Sequence, residues 1–350
     1  MKPHMLRDAG CTIAATALLF YLLHLAEMYL DSYLVQILSL VAINAILAVS
    51  LNLIYGFTGM FSLGHAGFMA IGAYVCALLI LPSEQKEMQW ILEDIHPWLG
   101  DLSMSFLAAV IISGLVAAFF GLIIGLPVLR LGGDYLGIAT LGFAEIIRVL
   151  ITNMTPFTNG ALGIKGIPQH ATLWINYGWL IFTLYFLVVL LRSNVGNVLK
   201  ATRDDEIAAK VMGVNTFFYR VLSFSLGSFF AGVGGALLGT MLSTVDPKMF
   251  NIMLTFNVLM IVVAGGLGSI TGSVIGSIVI TIMLEWLRFI ESPMLLFGWE
   301  MPGIPGMRMV VFSLLLLVII IFRPSGLMGN REFSWNAVFR TRRSPRRSQG

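Results

Sequence analysis

Charge is what this sequence has least of. Asp, Glu, Lys and Arg make up 11% of its 350 residues while 58% are hydrophobic, against roughly 25% charged in soluble domains. That excludes an ordinary soluble globular protein. Cysteine is scarce as well: Cys11 and Cys76 are the only two, and both fall inside predicted spans, so no disulfide framework is implied. The five histidines, at 4, 24, 65, 96 and 170, lack the spacing of a metal site. No G-x-x-x-x-G-K-[ST] occurs, which excludes nucleotide binding in the P-loop manner. No Ser/His/Asp or metal-ligand cluster points to hydrolysis. Neither a cofactor nor a nucleic-acid partner is expected for the chain itself.

What the sequence has instead is long apolar runs. The run at 103–129 exceeds the ~20 residues needed to cross a bilayer. Further runs predict spans at about 11–30, 34–55, 61–81, 103–129, 135–151, 172–191, 217–242, 252–264, 270–290 and 307–322. The expected fold is an all-α polytopic membrane protein with about ten transmembrane helices. The inner connections of spans two/three and eight/nine hold no basic residue, and if both pairs are re-entrant the count is eight. A basic start before an apolar run also fits a cleavable signal peptide. The run is long, holds His24 and Glu27, and is followed by no A-x-A site, so a retained span is the reading preferred.

Basic residues orient the bundle. They put 192–216 and the tail in the cytoplasm, together with both termini. The acidic loop 82–102, the Gly/Asn/Pro-rich loop 152–171, and 243–251 and 291–306 then lie outside. Three regions follow: 1–33, an N-terminal segment with the first span; 34–322, the transmembrane domain; and 323–350, a basic tail whose Ser/Pro/Arg composition reads as disordered.

Small residues recur inside the spans, as at Gly64 and Gly67, Gly121 and Gly125, Gly235 and Gly239, and the run Gly268, Gly272, Gly276. Spaced in this way they let helix backbones touch, which any helical membrane protein exploits. Polar groups within spans are costly and face the bundle interior or a water path. Glu145 and Arg148 are three residues apart on one helical face and able to pair; a structural pair neutralising itself at a helix contact is an equal reading. Asn44, Asn52 and His65 add polarity in spans two and three. A lone His there is more often a packing residue than a ligand.

One long polar stretch interrupts the apolar chain: 192–220, RSNVGNVLKATRDDEIAAKVMGVNTFFYR. Thr202-Arg203-Asp204-Asp205 reads as a helix start, a hydroxyl followed by acids in the first turn. Gly213 sits where a left-handed stop residue belongs. A helix over 203–212 is predicted, with Ile207, Ala208, Val211 and Met212 on one face and Ala209 beside them. A solvated loop that only fixes topology is the plain reading. A short helix shaped to dock into another protein is the sharper one, and Glu206-x-Ala208-Ala209-x-x-x-Gly213 favours it. That pattern resembles the coupling loop of bacterial ABC importer permeases.

Further segments agree in order. LNLIYGFTGMFSLGHAGFMAIGAY (51–74), GDYLGIATLGFAEIIR (133–148), NGALGIKGIP (159–168), the polar stretch, AGGLGSITGSVIGS (264–277) and RPSGLMG (323–329) resemble the LivM-type permease subunits of branched-chain amino acid ABC importers. The likeness covers about 40–330. It implies a subunit of the bacterial inner membrane, paired with a homologous LivH-type permease. Two cytoplasmic ATPases that use ATP and Mg, and a periplasmic substrate-binding protein, would complete the assembly, within membrane lipid. It implies that Arg203, Asp204, Glu206, Ala208, Ala209 and Gly213 contact or shape the ATPase-docking helix. Asn52, His65, Glu145, Arg148, Gly268 and Gly272 fall in motifs implied to build the translocation path. Within the same family the cargo could instead be urea, short amides or aromatic acids. From another class, an ion-coupled secondary transporter would use Glu145 and the GGLGS break, but leaves the docking loop without a task.

Overall fold

The computed structural model describes residues 3–90, 93, 95–291, 294–296, 299–301, 306–323, 325–329 and 332. Its helices are α1 (Pro3–Tyr29), α2 (Ser32–Asn52), α3 (His65–Ile80), α4 (Ser83–Gln89), α5 (Pro97–Gly100), α6 (Phe106–Val128), α7 (Asp134–Asn153) and α8 (Thr155–Thr158). They continue with α9 (Leu173–Arg192), α10 (Asn194–Asp204), α11 (Glu206–Val211), α12 (Thr216–Leu242), α13 (Ile252–Gly265), α14 (Ile270–Trp286) and α15 (Met307–Phe322). Short antiparallel pairs join β1 (Ile164–Lys165) to β2 (Thr244–Val245) and β3 (Met294–Leu296) to β4 (Trp299–Met301). The chain is a multi-pass helical membrane protein. Six of the described helices are long and apolar enough to cross a membrane, and the number rises to eight if each of two bent helix pairs is one span.

At the centre stands α12, wrapped by α2, α3 and α6. Its glycines make this possible. A Cβ on Gly72 of α3 would sit 2.1 Å from the Gly232 carbonyl oxygen, and one on Gly235 would sit 2.1 Å from that of Met69. A Cβ on Gly121 of α6 would sit 2.4 Å from Ser228 Oγ. Backbones in contact gain dispersion along their whole length, which is what holds helices together where lipid is as apolar as the side chains. α2 is largely apolar, and Ala45, Ile46, Leu47, Ala48, Val49 and Leu51 are all buried, as befits a core helix. Facing outward, α1 and α6 expose Ile13, Leu18, Tyr21, Leu107, Leu115 and Phe119, the surface a bilayer would cover.

Two places depart from regular spans. The third span, expected from 61, begins at His65, because 58–64 is not helical. Gly59 takes a left-handed φ of +75°, and hydroxyls from neighbouring helices satisfy the freed backbone. Leu63 N donates to Thr140 Oγ1 at 3.0 Å, and Ala66 N donates to Thr255 Oγ1 at 3.0 Å. Irregular backbone at membrane depth is tolerated only when protein partners it in this way. The bend in this region falls after α3, which meets α4 at 118°.

The second departure is the hairpin of α13 and α14, bent by 119°. Gly266 and Gly268 adopt φ of +127° and +77°, conformations that a side chain would strain. Ser269 caps α14, accepting from Gly272 N at 2.9 Å. A segment from the far end of the chain finishes the turn. Leu327 N donates to Ala264 O at 2.8 Å and Met328 N to Gly265 O at 3.1 Å, filling carbonyls that α13 leaves open at its end. Glu332 accepts from Ile270 N at 2.7 Å and Thr271 N at 3.2 Å, capping α14 from outside. Apart from 323, 325–329 and 332, the arginine-rich tail lies outside the described residues.

The loops at the two ends of the bundle differ in kind. At one end, α4, 154–168 and 243–249 interlock. Gln89 exchanges two hydrogen bonds with the Lys165 backbone, at 2.7 and 2.9 Å, and Trp90 Nε1 donates to Thr155 O at 3.0 Å. Lys86 is buried there, its ammonium donating to Leu99 O at 2.8 Å and Leu102 O at 2.6 Å. Burial pulls that ammonium below the usual lysine value, opposed by the charge of Asp101. The other end carries the polar stretch.

Gly72→Ala should lower the thermal stability of the detergent-solubilised protein by roughly 1–3 kcal/mol, since even a methyl group meets backbone there. Gly178→Ala, where an added Cβ meets nothing within 4 Å, should leave the unfolding midpoint unchanged or slightly raised. Equal midpoints for the two variants would contradict the backbone contact.

Candidate functional site

α9 turns into α10 through Ser193, with a contact so close that a Cβ on Gly196 would lie 2.4 Å from the Leu191 backbone. α10 buries Gly196, Leu199 and Thr202 against the bundle. The helix predicted over 203–212 is therefore divided: α10 runs through Asp204, and α11 covers Glu206–Val211. The cap is also different. Thr202 turns its hydroxyl back to Val198 O at 2.9 Å within α10, so it is not free to cap. Asp205, in extended backbone at φ −157°, takes that role. Its Oδ1 accepts from Ile207 N at 2.9 Å and Ala208 N at 3.0 Å, satisfying orphan donors of the first turn.

α11 ends as its sequence predicts. Gly213 has φ +83°, Val214 N reaches Ala209 O at 3.1 Å, and Gly213 N reaches Lys210 O at 3.0 Å. That pair of bonds is the Schellman arrangement. Capped at both ends, six residues hold a helix that would not persist alone.

The side chains of α11 divide by direction. Ala209 is buried, while Ile207, Val211 and Met212 are 76%, 81% and 83% exposed and Ala208 is exposed beside them. Glu206 fastens the helix from behind. It pairs with Lys210 at 2.9 Å and Arg220 at 3.1 Å, and accepts from Thr216 Oγ1 at 3.4 Å. The Lys210 hydrogen bond, aided by the charges of Arg220 and Lys210, holds its carboxyl below the usual carboxylate value despite partial burial. Arg220 Nε is buried and has no hydrogen-bond partner among the described residues.

Arg203, partly exposed, reaches back to the bundle with one nitrogen. Its Nη1 donates to Gly56 O at 3.0 Å, while Nε and Nη2 hold the exposed Asp204 at 2.9 and 2.8 Å. Gly56 lies in Leu53–Phe57, a π-helical turn that extends α2; such turns often accompany functional sites. One turn back, Asn52 is fully buried. Its Nδ2 donates to Ser269 O at 2.9 Å and Ser273 Oγ at 2.7 Å, and its Oδ1 accepts from Gly268 N at 2.9 Å. Gly272 packs on Gly265 nearby, where a Cβ would meet the Gly265 carbonyl oxygen at 2.6 Å.

The structure thus gathers Arg203, Asn52, Gly268 and Gly272 around one corner. His65 lies apart at the start of α3, buried, its Nε2 3.0 Å from Ser50 Oγ. Glu145 and Arg148 pair at 2.7 Å on α7, with side chains 41% and 33% exposed, so this pair sits on a flank of the bundle. Sequence reasoning missed Asp205 as the cap, Gly56, Ser269, Ser273 and Arg220. The run of acids at 204–206 was a usable signal for the first; the others depend on partners remote in sequence. A cavity of about 380 Å³ opens beside this corner, lined by Tyr55, Gly59, Phe61, Asp134, Leu136 and Arg220. What the arrangement can do is mechanical: a load on α11 passes to α12 through Arg220, and a load on α10 passes to α2 through Arg203.

A family model described as the permease component of branched-chain amino acid transport systems matches residues 33–320. The high-affinity branched-chain amino acid permease protein LivM of Escherichia coli K12 is 32% identical over 329 residues, covering 84% of this chain and 69% of that protein. A probable LivM of Methanocaldococcus jannaschii is 24% identical, covering 82% of this chain and 90% of its own length. The LivH permease of E. coli K12 is 24% identical, covering 82% and 92% respectively. No solved structure matches the chain.

Glu206→Gln removes both ion pairs behind α11. Partly exposed pairs of this kind contribute up to about 1 kcal/mol, so amide exchange across 206–214 at pH 7 should quicken by about fivefold. Because the carboxyl is held below its ordinary value, the wild-type protection is complete above the unfolded-state carboxylate pKa and is lost as pH falls through the folded one. Protection factors, corrected for the pH dependence of intrinsic exchange, that are indifferent to both the substitution and acidification would refute this fastening.

Proposed function

This chain belongs to the permease family of branched-chain amino acid transport systems, and on that premise we propose that it is one membrane half of an ATP-driven importer of leucine, isoleucine and valine. A homologous LivH-type permease forms the other half. Two cytoplasmic ATPases supply the work with ATP and Mg, and a periplasmic binding protein delivers cargo. The chain itself catalyses no reaction. It resides in the bacterial inner membrane with both termini in the cytoplasm. The clustering of Arg192, Lys200, Arg203, Lys210 and Arg220 at one end of the bundle supports that orientation.

One observation carries the reading. α11 is capped at both ends and anchored by Glu206, yet its outer face offers Ile207, Val211 and Met212 to solvent. Each would gain roughly 1.5–3 kcal/mol on full burial, so the face is built for a partner. Ala208, with no side chain beyond Cβ, leaves room for that partner's surface. Closure of the ATPases on ATP would press α11, rock α10 and α12 as rigid bodies, and switch the path from outward-open to inward-open.

Val211→Asp and Ala208→Trp test the reading without disturbing buried residues. Affinity for the ATPases should fall roughly thirtyfold, the loss of a ~2 kcal/mol anchor, and ATP-dependent uptake by reconstituted vesicles should fall with it. Full ATPase retention and normal uptake in both variants would end this proposal.

A further inference from the structure

Three backbones that are far apart in sequence converge at the corner below α2. The π turn of α2 brings Gly56 so near the hairpin break that a Cβ there would lie 2.3 Å from Gly268 N and 1.8 Å from Asn52 Oδ1. On the hairpin side, Asn52 uses both its amide donors on Ser269 O and Ser273 Oγ and accepts from Gly268 N. On the loop side, the Gly56 carbonyl, in a last turn that has no backbone donor ahead of it, takes Arg203 Nη1 at 3.0 Å. Arg203 also packs on Gly59, where its Cγ would lie 2.9 Å from an added Cβ.

We infer that Arg203, Gly56 and Asn52 form a tether that carries movement of α10 to the α13–α14 hairpin. This rests on the docking reading above. The physical reason is stiffness. The hairpin break has two glycines at positive φ, and its position is set by the groups that bond it: Leu327, Met328 and Glu332 from one side and Asn52 from the other. Asn52 bonds it from both sides of the break, at Gly268 and at Ser269 and Ser273, inside a buried site where an unmade hydrogen bond costs the full desolvation of the group. A shift of α10 therefore reaches α13 and α14 without passing through α12. Arg203 belongs to this path, facing the bundle, and α11 alone faces the ATPase. Asn52 and Arg203 are positioning residues: neither needs to touch cargo.

The test uses the complete reconstituted importer and reads cargo moved per ATP hydrolysed, together with the amount of ATPase retained. Asn52→Ala and Gly56→Ala should keep the ATPases bound and hydrolysing while cargo per ATP falls by about tenfold, within the usual range of coupling between sites. A merely structural role would lower the yield of assembled complex and leave cargo per ATP unchanged. Arg203→Lys provides a variant outside the buried corner. It keeps the positive charge but loses the planar fork that joins Gly56 to Asp204, and should show the same loss, smaller in size. Unchanged cargo per ATP in assembled Arg203→Lys and Gly56→Ala complexes would overturn the tether. So would loss of bound ATPase in these variants, since that would make the corner a support for docking alone. Ala208→Trp separates the two readings: if it keeps its ATPases and its coupling, the docking proposal fails, whatever Asn52→Ala shows.

Discussion

Backbone polarity is the constraint on which this bundle depends. In a bilayer each unpaired N–H or C=O costs several kcal/mol, so a helix is allowed to stop inside the bundle only where another part of the protein takes over its hydrogen bonds. The chain stops twice in this way. At 58–64 the takeover is by Thr140 and Thr255. At 266–269 it is by Asn52, by the backbone of Leu327 and Met328, and by Glu332. These bonds fix how α2, α3, α7, α13 and α14 sit relative to one another, while glycine contacts on α12 set how close they come. Irregularity and packing are therefore two sides of one solution.

That solution uses close backbone packing in one part and directional bonds in another. The glycine-lined contacts of α12 with α3 and α6 leave no room for sliding, since almost any displacement drives backbone atoms into each other. The hairpin is packed on α2 through Val258, Ile261, Val262 and Ile280, all buried, and directional polar bonds are added at its break. The hairpin break lies beneath the polar stretch, from which Arg203 Nη1 reaches Gly56 O at 3.0 Å, while Glu206 ties α11 to Arg220 of α12.

Much of this was legible in the residues, and the failures share a cause. The spans at 103–129, 135–151, 172–191 and 217–242 could be read because apolar length is a local property. Gly213 and the GGLGS break could be read because a left-handed residue marks itself. The start of α3 could not, because nothing in GMFSLGHAGF announces that Thr140 and Thr255 will replace its first helical bonds. The cap of α11 was misplaced by three residues for a related reason. Thr202 and Asp205 are both acceptable caps in isolation, Asp the better, and the choice was settled when α10 buried Thr202 against the bundle. Arg203 had the right neighbourhood and the wrong direction: its position in the loop was evident, its bond to Gly56 was not. Asn52 was noticed as polarity within a span, but its partners lie more than two hundred residues onward.

The bond between Ile270 and Glu332 spans 62 residues, and this has a consequence for biogenesis. The hairpin enters the membrane long before the residues that complete its turn have been synthesised. Until they arrive, α13 ends in open carbonyls and α14 begins with open amides, at the spot Asn52 already occupies from the opposite side. The nascent chain must therefore pass through a stage in which this half of the bundle is threaded but unlatched. The bonds that close this half of the bundle are those of Leu327, Met328 and Glu332, which follow α15 in the chain.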